Sequence, residues 1–361
     1  MLEPSTVDDA ASMLKAVRGA VSPVGAGSHG IPVTGEPLST GKLNRVLEHN
    51  PGDFTAVLEA GVPLAEAQTA FHKAGQWLAL DPPGGGTIGG LVATADSGPA
   101  RHRYGAVRDL VIGITVVLSD GTVARAGGKV IKNVAGYDLA KLFAGSYGTL
   151  GLIAEVAVRL HPQPLRTATV VGTSEDPDRL AAAAKALAAR PLEASCLDAA
   201  WADHRGQILV RFGGHTAVER AEAARTLFDG FDELAVVADD AAIWAAQRAN
   251  QRDPDRLSLK ISGRPTDLAR VLAVARDTSA VVAGRAALGL YWITGPADAD
   301  WVATVRATLA PRACSIVDGV APDGVDPWPA PDPGALTVMR RVKARFDPAG
   351  VFRPGTFVGG I

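Results

Sequence analysis

Cysteine is nearly missing from this chain of 361 residues: there are two, Cys196 and Cys314, far apart and in no C-x-x-C spacing. That excludes an all-cysteine iron–sulfur cluster or zinc site within the chain and argues against a disulfide scaffold. An excess of one charge is missing too. The formal net charge of −2 gives no reason to expect nucleic acid or an anionic membrane surface as partner. No uninterrupted apolar stretch reaches membrane-spanning length, and residues 1–14 are acidic and lack the apolar core of a secretory signal. The expected compartment is the cytoplasm. Hydrophobic residues make up 47% and charged residues 20%, the profile of a soluble globular protein long enough for two cores.

Glycine, by contrast, is abundant and clustered. Gly84, Gly85, Gly86, Gly89 and Gly90 open the stretch 81–151, and Gly145, Gly148 and Gly151 close it. Between them lies a hairpin signal: the apolar run Leu110 to Leu118, then Ser119-Asp120-Gly121, then Thr122 to Ala126. Glycine lets backbone approach a ligand closely, and bare N–H groups can cradle phosphate. Two such clusters joined by strands predict one long ligand across a scaffold, a dinucleotide.

The rest of the chain frames this stretch. Thr6 and Asp9 have capping-box-like spacing before a helix with Ala10, Leu14 and Val17 on one face. A strand at 20–24 leads into Gly25-Ala26-Gly27-Ser28-His29-Gly30, which spells G-x-G-x-x-G. A nicotinamide Rossmann reading fails, because that fingerprint needs a helix opening at its last glycines. Ile31 to Pro37 carries two prolines and no helical period. Further on, the pattern predicts a strand at 54–61, a helix after Pro63 with Leu64, Ala67 and Phe71 inward, a short strand at 77–80, and a helix at 134–144. A strand at 152–160 follows, with Leu152, Ala154, Val156, Val158 and Leu160 on one face. His161-Pro162-Gln163-Pro164 makes a natural boundary. From about 166, strands and helices alternate as in an α/β unit without a glycine cluster. Residues 321–334 hold five prolines and read as an extended linker before a last helix at 335–346.

Together these pieces resemble the FAD-binding oxidoreductases of the vanillyl-alcohol oxidase / p-cresol methylhydroxylase (PCMH) type, and within them the FAD-binding subunits of hetero-oligomeric bacterial glycolate oxidases. The resemblance rests on residues 25–29, Pro83 to Gly90, Ser97-Gly98, Val107-Arg108-Asp109, Gly128 to Asp138 and Gly145 to Gly151. The tail Lys343 to Pro348 with Phe352-Arg353-Pro354-Gly355 fits the same group. The match is dense over about 15–165 and the last twenty residues, and thin between. It implies an α+β fold: a two-part PCMH-type FAD-binding domain (1–165), an α/β cap domain (166–320), and a proline-rich linker and C-terminal segment (321–361) packing back on the FAD domain. By motif, Gly25, Ala26, Gly27, Ser28 and His29, with Pro83, Gly84, Gly85, Gly86, Thr87, Ile88, Gly89 and Gly90, would hold the pyrophosphate through backbone N–H groups. Ser97 and Gly98 would lie near the flavin. Gly145, Ser146, Gly148, Thr149, Gly151 and Ile153 would lie beside the adenosine half and the ring system. Many related chains have an arginine just before the first loop, where this one has Ser22-Pro23-Val24. Covalent attachment in such proteins uses a loop histidine. Here Ser28 takes that position and His29 falls one later, so non-covalent FAD is expected.

Hydroxy-acid oxidation needs the substrate C–H near flavin N5, a base for the hydroxyl proton, and a cation for the carboxylate. Related D-2-hydroxy-acid dehydrogenases supply part of this from a metal motif, H-x-H-x-G-D-G-N-x-H. This chain has no counterpart, and no histidine lies beyond His215; no metal site is expected. The remaining candidates are Arg103 or Lys132 for the carboxylate and Tyr137 or His102 for the proton. The ordinary reading competes: Arg101 to Tyr104 as a solvated loop, Lys132 to Asp138 as a turn leading into a helix. Three functions stay open. The favoured one is an FAD-binding subunit that oxidises glycolate to glyoxylate together with a catalytic flavoprotein subunit and an iron–sulfur subunit, cytoplasmic or held at the inner face of the cell membrane through them. The others are a self-sufficient FAD-dependent alcohol or hydroxy-acid oxidoreductase and a flavin-free, non-catalytic scaffold.

Overall fold

The computed structural model describes residues 1–29, 32–129 and 138–361. An antiparallel sheet of five strands organises the N-terminal part, in the order Val46–Asn50, Thr55–Glu59, Leu152–Arg159, Val111–Val117, Val123–Gly127. The hairpin read from Ser119-Asp120-Gly121 is its edge, with Val117 paired to Val123. Helix Val7–Ala16 begins where its cap predicts. Thr6 accepts from Asp9 N, and Asp9 returns a bond to Ser5 rather than to Thr6. Helix Leu64–His72 buries Leu64, Ala67 and Phe71, the face that the 3.6-residue period marks.

The strand at 152–159 departs from simple alternation. Thr115 pairs with Glu155 but Val116 pairs with Ile153, so Ala154 is an extra residue in a bulge. A bulge exchanges the two faces of a strand. Val156 and Val158 therefore enter the main core with Ile153, while Leu152 and Ala154 join a smaller core with Ala10, Leu14, Val21, Leu38 and Phe352. The expected single face of Leu152 through Leu160 is corrected accordingly. Both sides of the sheet are covered, one by helices and the other by the N-terminal helix, the parallel pair Val21–Val24 and Glu36–Ser39, and the chain's own tail.

The strands from Thr167 onward form one eight-stranded sheet, antiparallel throughout: Glu233–Val237, Thr167–Ser174, Arg205–Gly213, Cys196–Ala202, Val281–Arg285, Leu290–Gly295, Leu257–Ser262, Ala313–Asp318. Helices Pro177–Ala188, Ala217–Arg225, Leu268–Asp277 and Ala299–Leu309 contribute the other half of its core. Sequence periodicity misses the strands at Cys196, Glu233, Val281 and Ala313. Helix Pro333–Phe346 then leads the tail back: Phe346 meets Phe143 edge-on at 5.6 Å, and Val21 N donates to Val351 O at 2.8 Å. Phe352 is wholly buried against Val21, worth about 1.5–3 kcal/mol.

Candidate functional site

Strand Val21–Val24 delivers Gly25, Ala26, Gly27, Ser28 and His29 to one wall of a cleft with about 820 Å³ of atom-free space. Thr87, Gly89 and Gly90 form a second wall, and Gly148, Gly151 and Ile153 a third. Close packing of these turns requires an absent side chain. A Cβ on Gly25 would lie 2.3 Å from Thr87 Oγ1, the hydroxyl that accepts from Gly90 N. Pro83, Gly84, Gly85, Gly86, Ile88, Ser97, Gly98, Gly145, Ser146 and Thr149 do not line the cleft.

Several of them have packing roles instead. Ile88 is a core residue, 2% exposed. Gly98 lies against Asp81, where a Cβ would meet the Asp81 carbonyl oxygen at 1.7 Å. The turn after Phe143 is braced on helix Ile88–Thr94: Gly145 N donates to Val92 O at 3.0 Å and Tyr147 N to Ala93 O at 2.8 Å. Only Tyr147 and Gly148 of that turn reach the cleft. The Tyr147 ring is held edge-on by Trp328, from the proline-rich segment, at 5.0 Å.

His29 is tied into a buried polar group that joins the first loop to the cap. Its Nε2 lies 3.5 Å from Asp96 Oδ2 and beside the Arg252 guanidinium, which also pairs with Asp96 and lies 3.6 Å from Asp318. Burial pushes the Asp96 carboxyl up, but the His29 bond and the Arg252 charge outweigh it and hold the pKa below the usual carboxylate value. Next to it, Gln251 Nε2 donates to Ser97 O at 3.2 Å. The end of the cap helix Ala241–Ala249 thus docks on residues 96–97. Lys260, on the cap strand Leu257–Ser262, stands 5.9 Å from the Trp292 ring. Burial, reinforced by the charge of Arg101, pushes its ammonium down to about 8.

The catalytic candidates lie elsewhere. His102 and Arg103 sit on the short helix Arg101–Tyr104, facing a depression shared with Ser262, Gly263 and Leu288 to Leu290 of the cap. Arg103 donates to Glu193 O at 2.9 Å. His102 Nδ1 is buried without a partner among the described residues, and burial pushes its pKa down. Lys132 and Tyr137 lie outside the described residues. Among the described residues no three His, Cys, Asp or Glu side chains come together in a metal-binding group.

Sequence reasoning missed one cationic side chain at the cleft. Arg353 lines it, is 4% exposed, and donates from Nη2 to Pro32 O at 2.7 Å. It comes from the Phe352-Arg-Pro-Gly355 tail, which the sequence marks as a motif without assigning this side chain a role.

Residues 1–127 match the family described as FAD binding domain. The N-terminal region is thus similar to FAD-binding domains. Its glycine-lined walls, which a Cβ at Gly25 would disrupt, fit the cofactor. Glycolate oxidase subunit GlcE of Escherichia coli is 40% identical over 37% of this chain and 39% of its own length. Glycolate oxidase subunit GlcD of Bacillus subtilis is 39% identical over 38% of the chain and 30% of its own. The matched region thus spans about two fifths or less of those relatives. An uncharacterised FAD-linked oxidoreductase of Mycobacterium tuberculosis is 28% identical across 99% of this chain and 90% of its own length. The solved structure of an alkyldihydroxyacetonephosphate synthase shares the fold, with a TM-score of 0.72 and 16% identity over 97% of this chain and 74% of that one. The PCMH-type fold, the FAD cofactor and the kinship to FAD-dependent oxidoreductases stand on these likenesses together with the geometry.

Proposed function

We propose that the chain is the FAD-binding subunit of a hetero-oligomeric 2-hydroxy-acid dehydrogenase that oxidises glycolate to glyoxylate. The observation carrying this reading is the cleft where turns from three separate stretches meet. The likeness to subunit GlcE supports the substrate class. In this reading residues 1–165 with the tail form the flavin unit and residues 166–320 the cap. FAD, when bound, supplies a two-electron acceptor. The main-chain amides of Gly25 to Ser28 would face its diphosphate and cost no side-chain desolvation, while those of Gly89 and Gly90 are spent on Ala60 O and Thr87 Oγ1 and hold the second wall in place. The cofactor is held non-covalently: the His29 ring is committed to Asp96 and Arg252. Oxidation of glycolate removes a hydride equivalent and the hydroxyl proton. His102 stays neutral near pH 7, because burial lowers its pKa, and is the candidate proton acceptor, with Arg103 as carboxylate ligand and Lys132 and Tyr137 as further candidates. The metal motif and the onward electron path belong to a partner flavoprotein subunit and an iron–sulfur subunit.

Purified chain tests this directly. A yellow protein, inert with glycolate alone and active once the partner chains are added, is the expected result. Reduction of the bound flavin by glycolate with no partner present would replace this reading with a self-sufficient oxidoreductase. A chain that takes up no FAD would leave a scaffold. Acid precipitation should release the flavin to the supernatant; flavin retained in the pellet would overturn non-covalent binding.

A further inference from the structure

Arg353 is an odd residue to find in this place. It is buried at the cleft, and among the described residues it makes no ion pair. Nη2 has one neutral acceptor, Pro32 O, and among the described residues Nε has no hydrogen-bond partner. A buried guanidinium without a counter-ion is costly, and arginine cannot discharge itself at ordinary pH. Burial already pushes its pKa below the usual arginine value.

The surroundings hold it there firmly. Arg353 N donates to Val21 O at 3.0 Å, extending the pairing of Val21 with Phe352. Asp347 accepts from Val351 N and Phe352 N at 3.0 and 2.8 Å and pairs with Lys343, whose ammonium also reaches Thr149 O and Phe352 O. The aliphatic stem crosses the turn at Gly148: Arg353 Cδ lies 3.3 Å from where a Cβ of that glycine would stand, and Pro23 is the next neighbour. The guanidinium thus enters between the first and third glycine turns. Among the described lining residues it is the only lysine or arginine.

We infer that Arg353 is the counter-charge for the diphosphate of FAD, supplied by the C-terminal tail. This rests on the flavin reading above and adds a residue to it. The backbone amides orient the diphosphate, and Arg353 neutralises it with charge-assisted hydrogen bonds from Nε and the free edge of the guanidinium. Cofactor binding and docking of the tail are then coupled. FAD favours the docked tail, and the docked tail completes the site.

The test is FAD titration of apoprotein, followed by flavin fluorescence, with ADP and adenosine as competitors. Arg353 has a left-handed backbone (φ 45°), so Arg353→Asn is the neutral variant of choice, since asparagine tolerates that region. Arg353→Lys keeps the charge. Arg353→Asn should weaken FAD roughly 10- to 100-fold, the scale of a charge-assisted hydrogen bond. It should weaken ADP similarly and leave adenosine unchanged, and Arg353→Lys should recover most of the loss. An FAD affinity within threefold of wild type in Arg353→Asn overturns the assignment. So does an equal loss of ADP and adenosine, which a merely structural role at Pro32 would give. Wild-type protein that binds neither FAD nor ADP overturns the flavin reading itself, and the assignment falls with it.

Discussion

The buried ion pair between Asp198 and Arg285 offers a prediction whose size follows from the structure. Both side chains are 0% exposed, with Nη1 2.7 Å from Oδ2. Gln247 Nε2 donates to the same carboxylate oxygen at 2.9 Å, and Arg285 also reaches Gln251, which holds Ser97 O across the boundary to the FAD domain. Removing one partner of such a pair costs about 3–5 kcal/mol, because the other is left charged and buried. The two halves are not equivalent. A lone guanidinium cannot lose its proton, whereas a lone carboxyl can gain one. Asp198→Asn should therefore cost the full amount at every pH, lowering the melting temperature of a unit of this size by roughly 6–20 °C. In Arg285→Met the carboxyl protonates instead. Burial already raises the Asp198 pKa above 3.8, and loss of the guanidinium raises it further. A carboxyl with a raised folded pKa contributes stability that is complete below its unfolded pKa and is lost as pH rises through the folded one. The penalty of Arg285→Met should thus grow as pH rises, at most by about 1.4 kcal/mol per unit. Scanning calorimetry of both variants and wild type at about pH 5 and about pH 8 checks this. A loss under about 1 kcal/mol in Asp198→Asn, or the same loss at both pH values in Arg285→Met, would refute the reasoning.

Three further outcomes are expected. Gly25→Ala should push the Thr87 hydroxyl off Gly90 N, costing about 1–3 kcal/mol and weakening FAD, and Gly25→Ala/Thr87→Ala should recover part of that loss; equal flavin affinity in wild type and single variant would count against the contact. Burial pushes the Asp347 carboxyl up, but its bonds to Lys343 and two backbone amides hold its pKa below 3.8. The stability it supplies is then complete above that value and lost as pH falls through the folded pKa. Tail docking, read by flavin retention, should fail on acidification, and Asp347→Asn should retain flavin poorly even at neutral pH. Trp244→Phe removes the indole N–H bond to Thr169 Oγ1 (2.8 Å) beside the Asp240–Arg211 pair, and should cost about 1–3 kcal/mol in a denaturant melt with little effect on FAD binding.

How much of this could be read from the sequence depends on how local the cause is. The capped helix at Val7, the inward face Leu64-Ala67-Phe71 and the hairpin about Asp120 are set by neighbours within a few residues, and their positions are legible. The bulge at Ala154 is not, because a register shift belongs to two strands at once. Strands Glu233–Val237 and Ala313–Asp318 are short and carry few fully buried side chains, which leaves a weak apolar signal in the sequence. Glycine spacing marks three turns, but cannot separate the glycines that face the cleft, such as Gly25 and Gly90, from Gly98, which is needed for packing on Asp81. Arg353 is the clearest gap. The sequence shows Ser22-Pro23-Val24 where related chains carry arginine, and an arginine in the distant tail. Only the folded backbone brings Arg353 beside Val21.

The central claim is that the turns at Gly25, Gly89–Gly90 and Gly148 enclose a single FAD. A crystal structure of the chain with FAD tests it most directly. It should show the diphosphate within hydrogen-bond distance of the backbone amides of residues 25–28 and of the Arg353 guanidinium. A diphosphate bound elsewhere, or these turns closed on one another with flavin excluded, would contradict the account.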